Sequence, residues 1–224
     1  MPPLYAIAKL TVVPLLRLGW LPRVEGIGHI PATGGAILAG NHLSVADELF
    51  VGALAPRHIA FWAKSDYFTG SGARGWLSRT VLEGLGAIPV HRATGRASLA
   101  AFDGAFPVLA AGGLVVVYPE GTRSPDGRLY RGRTGVARLA LRSGVPVVPV
   151  GVRNTARVQP IGARLPRPFT ARPDIRFGAP LHFGGREETA SERRAVTDEI
   201  MRAIQRLSGQ EYVPRYAPRR EPVG

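Results

Sequence analysis

From Pro22 onward, short apolar runs alternate with longer mixed segments, the rhythm of a chain that lays down a strand, crosses over and lays down the next. Strands are predicted at 36–39 (AILA), 58–62 (HIAFW), 86–90 (GAIPV), 114–118 (LVVVY), 146–152 (PVVPVGV) and 174–178 (DIRFG). Helices are predicted at 45–55, 74–84, 96–111, 134–143 and 188–207. The last carries the fullest signature. Val196, Ile200, Ile204 and Leu207 recur at spacings of three and four, Glu187, Glu188 and Glu192 gather at its start, and Ser191 is placed to cap it. Pro146 and Pro149 put the 146–152 strand at a sheet edge or delay its start, because proline donates nothing to a ladder. Residues 153–173, with four prolines and five arginines and little periodicity, read as a basic loop. Residues 209–224 are rich in Pro and Arg and read as a poorly ordered tail. The expected fold class is α/β, a single domain over 22–208 with a mixed, largely parallel central sheet flanked by helices.

Ahead of that domain, residues 4–21 (LYAIAKLTVVPLLRLGWL) are strongly apolar, yet the longest unbroken run, Leu10 to Leu16, is far short of the roughly 20 residues a spanning helix needs. No small-residue cleavage site follows a proper apolar core, which speaks against a secretory signal. Two cations, with Tyr5 and Trp20 near the ends, suit a membrane-associating segment lying in the headgroup interface. A Pro-kinked helix packed on the protein's own core is the other reading, since Pro14 sits inside it.

Charge narrows the partners. The 224 residues carry 29 Lys+Arg against 16 Asp+Glu, a formal +13, and within 121–186 thirteen arginines face only Asp126 and Asp174. Nucleic acid, an anionic membrane face and phosphorylated small molecules all fit such a stretch. Only Lys9 and Lys64 are lysines, so a compositional preference for Arg accounts for part of it. The absence of cysteine excludes disulfide scaffolds, zinc-thiolate sites, thiol nucleophiles and cysteine-ligated iron–sulfur clusters.

Two strand ends carry candidate chemistry. Asn41-His42-Leu43-Ser44-Val45-Ala46-Asp47 directly follows AILAG, and open α/β sheets place ligands beyond the carboxyl ends of their strands. With a helix starting near Ser44, Asp47 falls in its first turn and can fold back onto His42. A carboxylate on one ring nitrogen fixes the tautomer while the other nitrogen takes a proton. Asp47 and Glu48 read equally as ordinary helix N-terminal acids, and no second His lies nearby to complete a metal site. Tyr118-Pro119-Glu120-Gly121-Thr122-Arg123-Ser124 ends LVVVY, where backbone N–H groups, a hydroxyl and a guanidinium could hold a phosphate. The same residues make an ordinary surface turn. Together the two suggest activation of a hydroxyl on a phosphorylated molecule.

These residues resemble the glycerolipid acyltransferase family typified by bacterial 1-acylglycerol-3-phosphate acyltransferases. NHLSVAD at 41–47 looks like the family's NHxSxxD block, and YPEGTRS at 118–124, 77 positions on, looks like its FPEGTRS block. GAIPVHR at 86–92 and VPVVPV at 145–150 are similar to two further blocks, and Lys64 matches a lysine usual between the first two. The resemblance spans roughly residues 22–152. Tyr118 stands where the family has Phe, His91 where an acid is common, and Arg133 where Lys is frequent.

The resemblance implies that His42, oriented by Asp47, is the general base for the free hydroxyl of a lysophosphatidate, which attacks the thioester of acyl-CoA or acyl-ACP directly. It implies that Glu120, Gly121, Thr122 and Arg123, helped by Arg92, hold the phosphate, and that Asn41 and Lys64 contact substrate or the oxyanion. No metal or cofactor is implied beyond the acyl-CoA or acyl carrier protein co-substrate. The partners would be a lysophospholipid and an anionic membrane surface, with the protein peripheral or monotopic on the cytoplasmic face of the cell membrane. Related enzymes acylate other lysophospholipids, glycolipids or glycerol 3-phosphate, so the acceptor stays open. A nucleic-acid-binding module is the rival from another class, weakened because 121–186 offers few aromatics, among them Tyr130, Phe169 and Phe177, for base stacking.

Overall fold

A computed structural model of the chain describes residues 3–64, 69–84, 86–90 and 102–218. In chain order the elements are α1 (Pro3–Trp20), β1 (Arg23–Glu25), β2 (Ala36–Gly40), α2 (Ala46–Leu54), β3 (Ile59–Lys64), α3 (Gly72–Gly84), β4 (Ala87–Val90), α4 (Ala105–Ala110), β5 (Leu114–Val117), β6 (Leu129–Tyr130), α5 (Gly135–Ser143), β7 (Val147–Arg153), α6 (Thr155–Val158), β8 (Asp174–Phe177), α7 (Ala190–Ser208) and β9 (Tyr212–Val213).

Seven strands form one sheet in the order β1-β8-β7-β2-β5-β3-β4, parallel at every pairing except β7 with β8. The α/β fold with a mixed, mostly parallel sheet is thus present, and the six predicted strands all lie in it. β2 and β5 are buried along their whole length, which explains why they read as unbroken apolar runs. Alternate residues feed two cores. Ile37, Ala39, Val115 and Val117 pack toward α5 and α7, while Ala36, Leu38, Leu114 and Val116 pack toward α2 and the buried Leu16 of α1. Gly151 permits the close approach of β7 to α7, since a Cβ there would lie 2.6 Å from the backbone of Leu207.

Three expectations are corrected. The strand carrying Pro149 is interior, between β8 and β2. Pro149 lies opposite Ala39 of β2, and on its other side Gly178, just past the end of β8, donates to its carbonyl at 2.8 Å. The C-terminal helix is capped by Thr189, whose hydroxyl accepts from the Glu192 N–H at 3.1 Å; Ser191 lies inside the first turn. Beyond that helix, the described residues up to 218 are held against the domain. Tyr212 and Val213 pair in parallel with Leu129 and Tyr130, and Ala217 is buried. The basic loop contains the single turn α6. The predicted 96–111 helix is described only from residue 102, where α4 lies.

α1 packs one side on the core and leaves apolar side chains exposed on the other. Tyr5 and Leu16 are buried and the Tyr5 hydroxyl donates to the Gly52 carbonyl at 2.7 Å, while Ile7, Leu10, Leu15 and Leu18 are exposed. Among the described residues, no helix is long and apolar enough to cross a membrane.

Candidate active site

Register brings the two blocks together. β2 and β5 pair in parallel with Ala39 opposite Val117. His42 and Glu120, each three residues farther on, therefore leave the sheet side by side, and the His42 N–H donates to Glu120 Oε1 at 3.3 Å. A second tie links the blocks, because Ser124 N–H donates to the His42 carbonyl at 2.7 Å.

Asp47 sits in the first turn of α2, fully buried, and turns back onto the segment before it. Its Oδ2 accepts from His42 Nδ1 at 2.8 Å, from Leu43 N–H at 2.6 Å and from Ser44 N–H at 2.9 Å. One carboxylate oxygen thus shapes the turn and holds the imidazole. With Nδ1 engaged, Nε2 is the nitrogen left to accept a proton, and the ring remains 14% exposed. Tyr118 stacks on one face of that ring at 4.1 Å between centroids. The phenol is buried with no hydrogen-bond partner among the described residues, and burial, followed by the charges of Asp47 and Glu48, pushes it well above its ordinary range.

Glu120 takes a place other than the phosphate contact implied by sequence. It is 1% exposed, and its second oxygen accepts from Tyr130 N–H at 2.9 Å. The carboxyl therefore works as an internal strut between β2, the 118–124 turn and β6. Burial lifts it to about 7, against the pull of the Tyr130 and His42 N–H groups and with a further push from Asp47 and Asp126. Between the ordinary 4.5 and about 7, the folded state binds more protons than the unfolded one. The stability this group contributes is therefore full at low pH and falls by about 3 kcal/mol as pH rises through 7. Urea unfolding at about pH 5 and about pH 8 tests this: wild type should lose more stability over the interval than Glu120→Gln, and equal losses would contradict it.

Asn41 is also redirected. Both ends of its buried amide serve β7, Nδ2 donating to the Val152 carbonyl at 2.8 Å and Oδ1 accepting from the Val152 N–H at 2.7 Å. It continues the β2–β7 ladder where β2 has ended. Gly121 turns the chain with φ +72°, a left-handed conformation that suits glycine, and Arg133 passes directly beneath it. A Cβ on Gly121 would lie 3.1 Å from Arg133 Cδ and Nε, so Arg133 brings a second cation to the turn. Thr122 and Arg123 follow, half-buried, and among the described residues the Arg123 guanidinium has no ion-pair partner. Arg128, by contrast, is committed to Asp126. Lys64 ends β3 opposite Val90 in β4. Its side chain, like Arg92 as a whole, lies outside the described residues.

Sequence reasoning missed Ser44, Tyr118 and Arg133 as parts of the site. Ser44 Oγ donates to the Gln159 carbonyl at 2.7 Å, pinning the 41–47 turn to the basic loop. Ser44 and Tyr118 lay within the quoted blocks, but their partners are far along the chain.

The chain is 27% identical over 157 residues to the chloroplast 1-acyl-sn-glycerol-3-phosphate acyltransferase LPAT1 of Arabidopsis thaliana, covering 70% of this chain and 41% of that protein. It is 31% identical over 133 residues to the 1-acyl-sn-glycerol-3-phosphate acyltransferase of Borreliella burgdorferi, covering 59% of this chain and 51% of the other. The chain thus spans about two fifths to half the length of these relatives. Its fold matches the crystal structure of the 1-acyl-sn-glycerophosphate acyltransferase PlsC of Thermotoga maritima with a TM-score of 0.68 at 24% identity, over 92% of this chain and 80% of that one. The profile of the Acyltransferase family matches residues 22–153, the same stretch that carries the His42–Asp47 pair and the 118–124 turn, and the chain belongs to that family.

Proposed function

We propose that the protein transfers a fatty acyl group from acyl-CoA or acyl-ACP to the free hydroxyl of 1-acylglycerol 3-phosphate, giving phosphatidate for phospholipid synthesis. The observation that carries this reading is the 2.8 Å contact of His42 Nδ1 with Asp47, in a turn bonded to a cation-bearing, glycine-containing loop. His42 Nε2 takes the acceptor's hydroxyl proton as its oxygen attacks the thioester carbonyl. The imidazolium so formed faces the buried Asp47 carboxylate, which stabilises it. Collapse of the tetrahedral intermediate expels the thiolate, which recovers the proton from His42. No covalent acyl-enzyme is formed, in keeping with a chain that contains no cysteine. Gly121, Thr122 and Arg123, with Arg133 nearby, hold the acceptor phosphate and so fix its hydroxyl against Nε2. The exposed apolar side of α1 rests in one leaflet of an anionic membrane, where acceptor and product reside.

Purified protein in mixed micelles should release free thiol from acyl-CoA only when lysophosphatidate is added. Acceptor-independent release would reduce the activity to thioester hydrolysis. Arg123→Ala should raise KM for the phosphorylated acceptor by about 10- to 100-fold, the worth of a charge-assisted hydrogen bond. Unchanged kinetics would remove Arg123 from the phosphate site.

A further inference from the structure

The loop between α6 and β8 holds apolar side chains out in solvent on a firmly tied backbone. Phe169 is 84% exposed and Leu165 76% exposed. Phe169 has φ +58°, a region bulky side chains rarely occupy. Its N–H donates to the Gly19 carbonyl at 2.9 Å, and the Trp20 indole N–H donates to the Arg167 carbonyl at 2.8 Å. Arg167 N–H donates to the Val158 carbonyl at 2.8 Å, and Arg172 Nε to the Leu21 carbonyl at 2.6 Å. The tip is therefore built onto the C-terminal end of α1, beside Leu18 and Leu21, which are 71% and 67% exposed. At its base, Gln159 accepts from Ser44 through its carbonyl, and its side-chain amide donates to the Ala163 carbonyl at 3.2 Å.

We propose that residues 160–172 form a second membrane wedge, with Leu165 and Phe169 entering the leaflet beside α1 and the surrounding arginines binding anionic headgroups. This rests on the membrane-lipid reading given above and names the element that orients the catalytic turn toward the bilayer. Charge identifies the occupant. From 153 to 173 the chain carries five arginines and no acid. Among the described residues, exposed Arg157, Arg164 and Arg167 have no carboxylate partner. A second copy of the chain would set these cations against their own like, whereas an anionic leaflet neutralises them while taking up the apolar tips.

The test uses the full chain and vesicles of phosphatidylglycerol or phosphatidylcholine, with a short-chain lysophosphatidate below its micellar concentration as a soluble acceptor. Leu165→Ser/Phe169→Ser should lower the partition coefficient on phosphatidylglycerol vesicles by about 10-fold or more, given the apolar area withdrawn. Its turnover of the soluble acceptor and its melting temperature should match wild type. Arg164→Gln/Arg167→Gln should remove most of the preference for phosphatidylglycerol over phosphatidylcholine. Unchanged partitioning of both variants would overturn the wedge, as would a dimer that the serine variant converts to monomer with vesicle binding intact. Absence of turnover of the soluble acceptor by wild type would instead count against acyl transfer, leaving the vesicle result to stand alone.

Discussion

His42→Ala is expected to lower kcat for acyl transfer by about 10³-fold or more, the upper range for losing a positioned general base. The fold should survive. The backbone N–H and carbonyl of residue 42 make the contacts with Glu120 and Ser124, and these do not depend on the side chain. What disappears is the imidazole, its bond to Asp47 and its stacking on Tyr118, the last worth about 1 kcal/mol. Thiol release measured together with the unfolding midpoint separates the two outcomes. A folded variant with wild-type rate would show that the proton goes elsewhere.

Asp47→Asn should be nearly as damaging to the reaction, for a narrower reason. Three donors converge on Oδ2, whereas Oδ1 is buried with no partner among the described residues. An asparagine can therefore place its carbonyl oxygen at the Oδ2 position, keeping the turn and the His42 tautomer, and put its amide where Oδ1 stood. Only the negative charge is lost. We expect kcat to fall by about 10²–10³-fold with little change in stability, which measures what the carboxylate does for the imidazolium. Asp47→Ala should in addition destabilise the fold, because the Leu43 and Ser44 N–H groups lose their acceptor inside the protein. If the asparagine variant retained full activity, Asp47 would be a turn-former alone.

The chemistry was more legible in the sequence than the supports around it. A histidine after an apolar strand and an aspartate five residues later define a local geometry, and the register of β2 on β5 converts it into a shared site. Asn41 and Glu120 sit in the same two blocks, yet their roles depend on Val152 and Tyr130, partners set by sheet order and the β6 turn. Apolar periodicity identifies a buried strand but does not say which neighbour a buried amide or carboxyl will meet. Pro149 illustrates the same limit. Its missing N–H did not keep it from the sheet interior, where it lies opposite Ala39 and its carbonyl accepts from Gly178. The two-residue strands β6 and β9 lie below any detectable period, so a composition-based reading took the second for part of a loose tail. For α1 the sequence left two uses; one side packs on the core, and the other presents exposed apolar side chains.

The central claim is that the dyad and the cation-bearing turn act together on a phosphorylated lipid acceptor. An acceptor panel with a single acyl-CoA, read by mass spectrometry of the lipid products, tests it most directly. The panel should contain lysophosphatidate, glycerol 3-phosphate, lysophosphatidylcholine and monoacylglycerol. We expect phosphatidate as the dominant product and no acylation of monoacylglycerol, which has the hydroxyl but lacks the phosphate. Equal acylation of monoacylglycerol and lysophosphatidate, or no lipid product from any acceptor, would contradict the account.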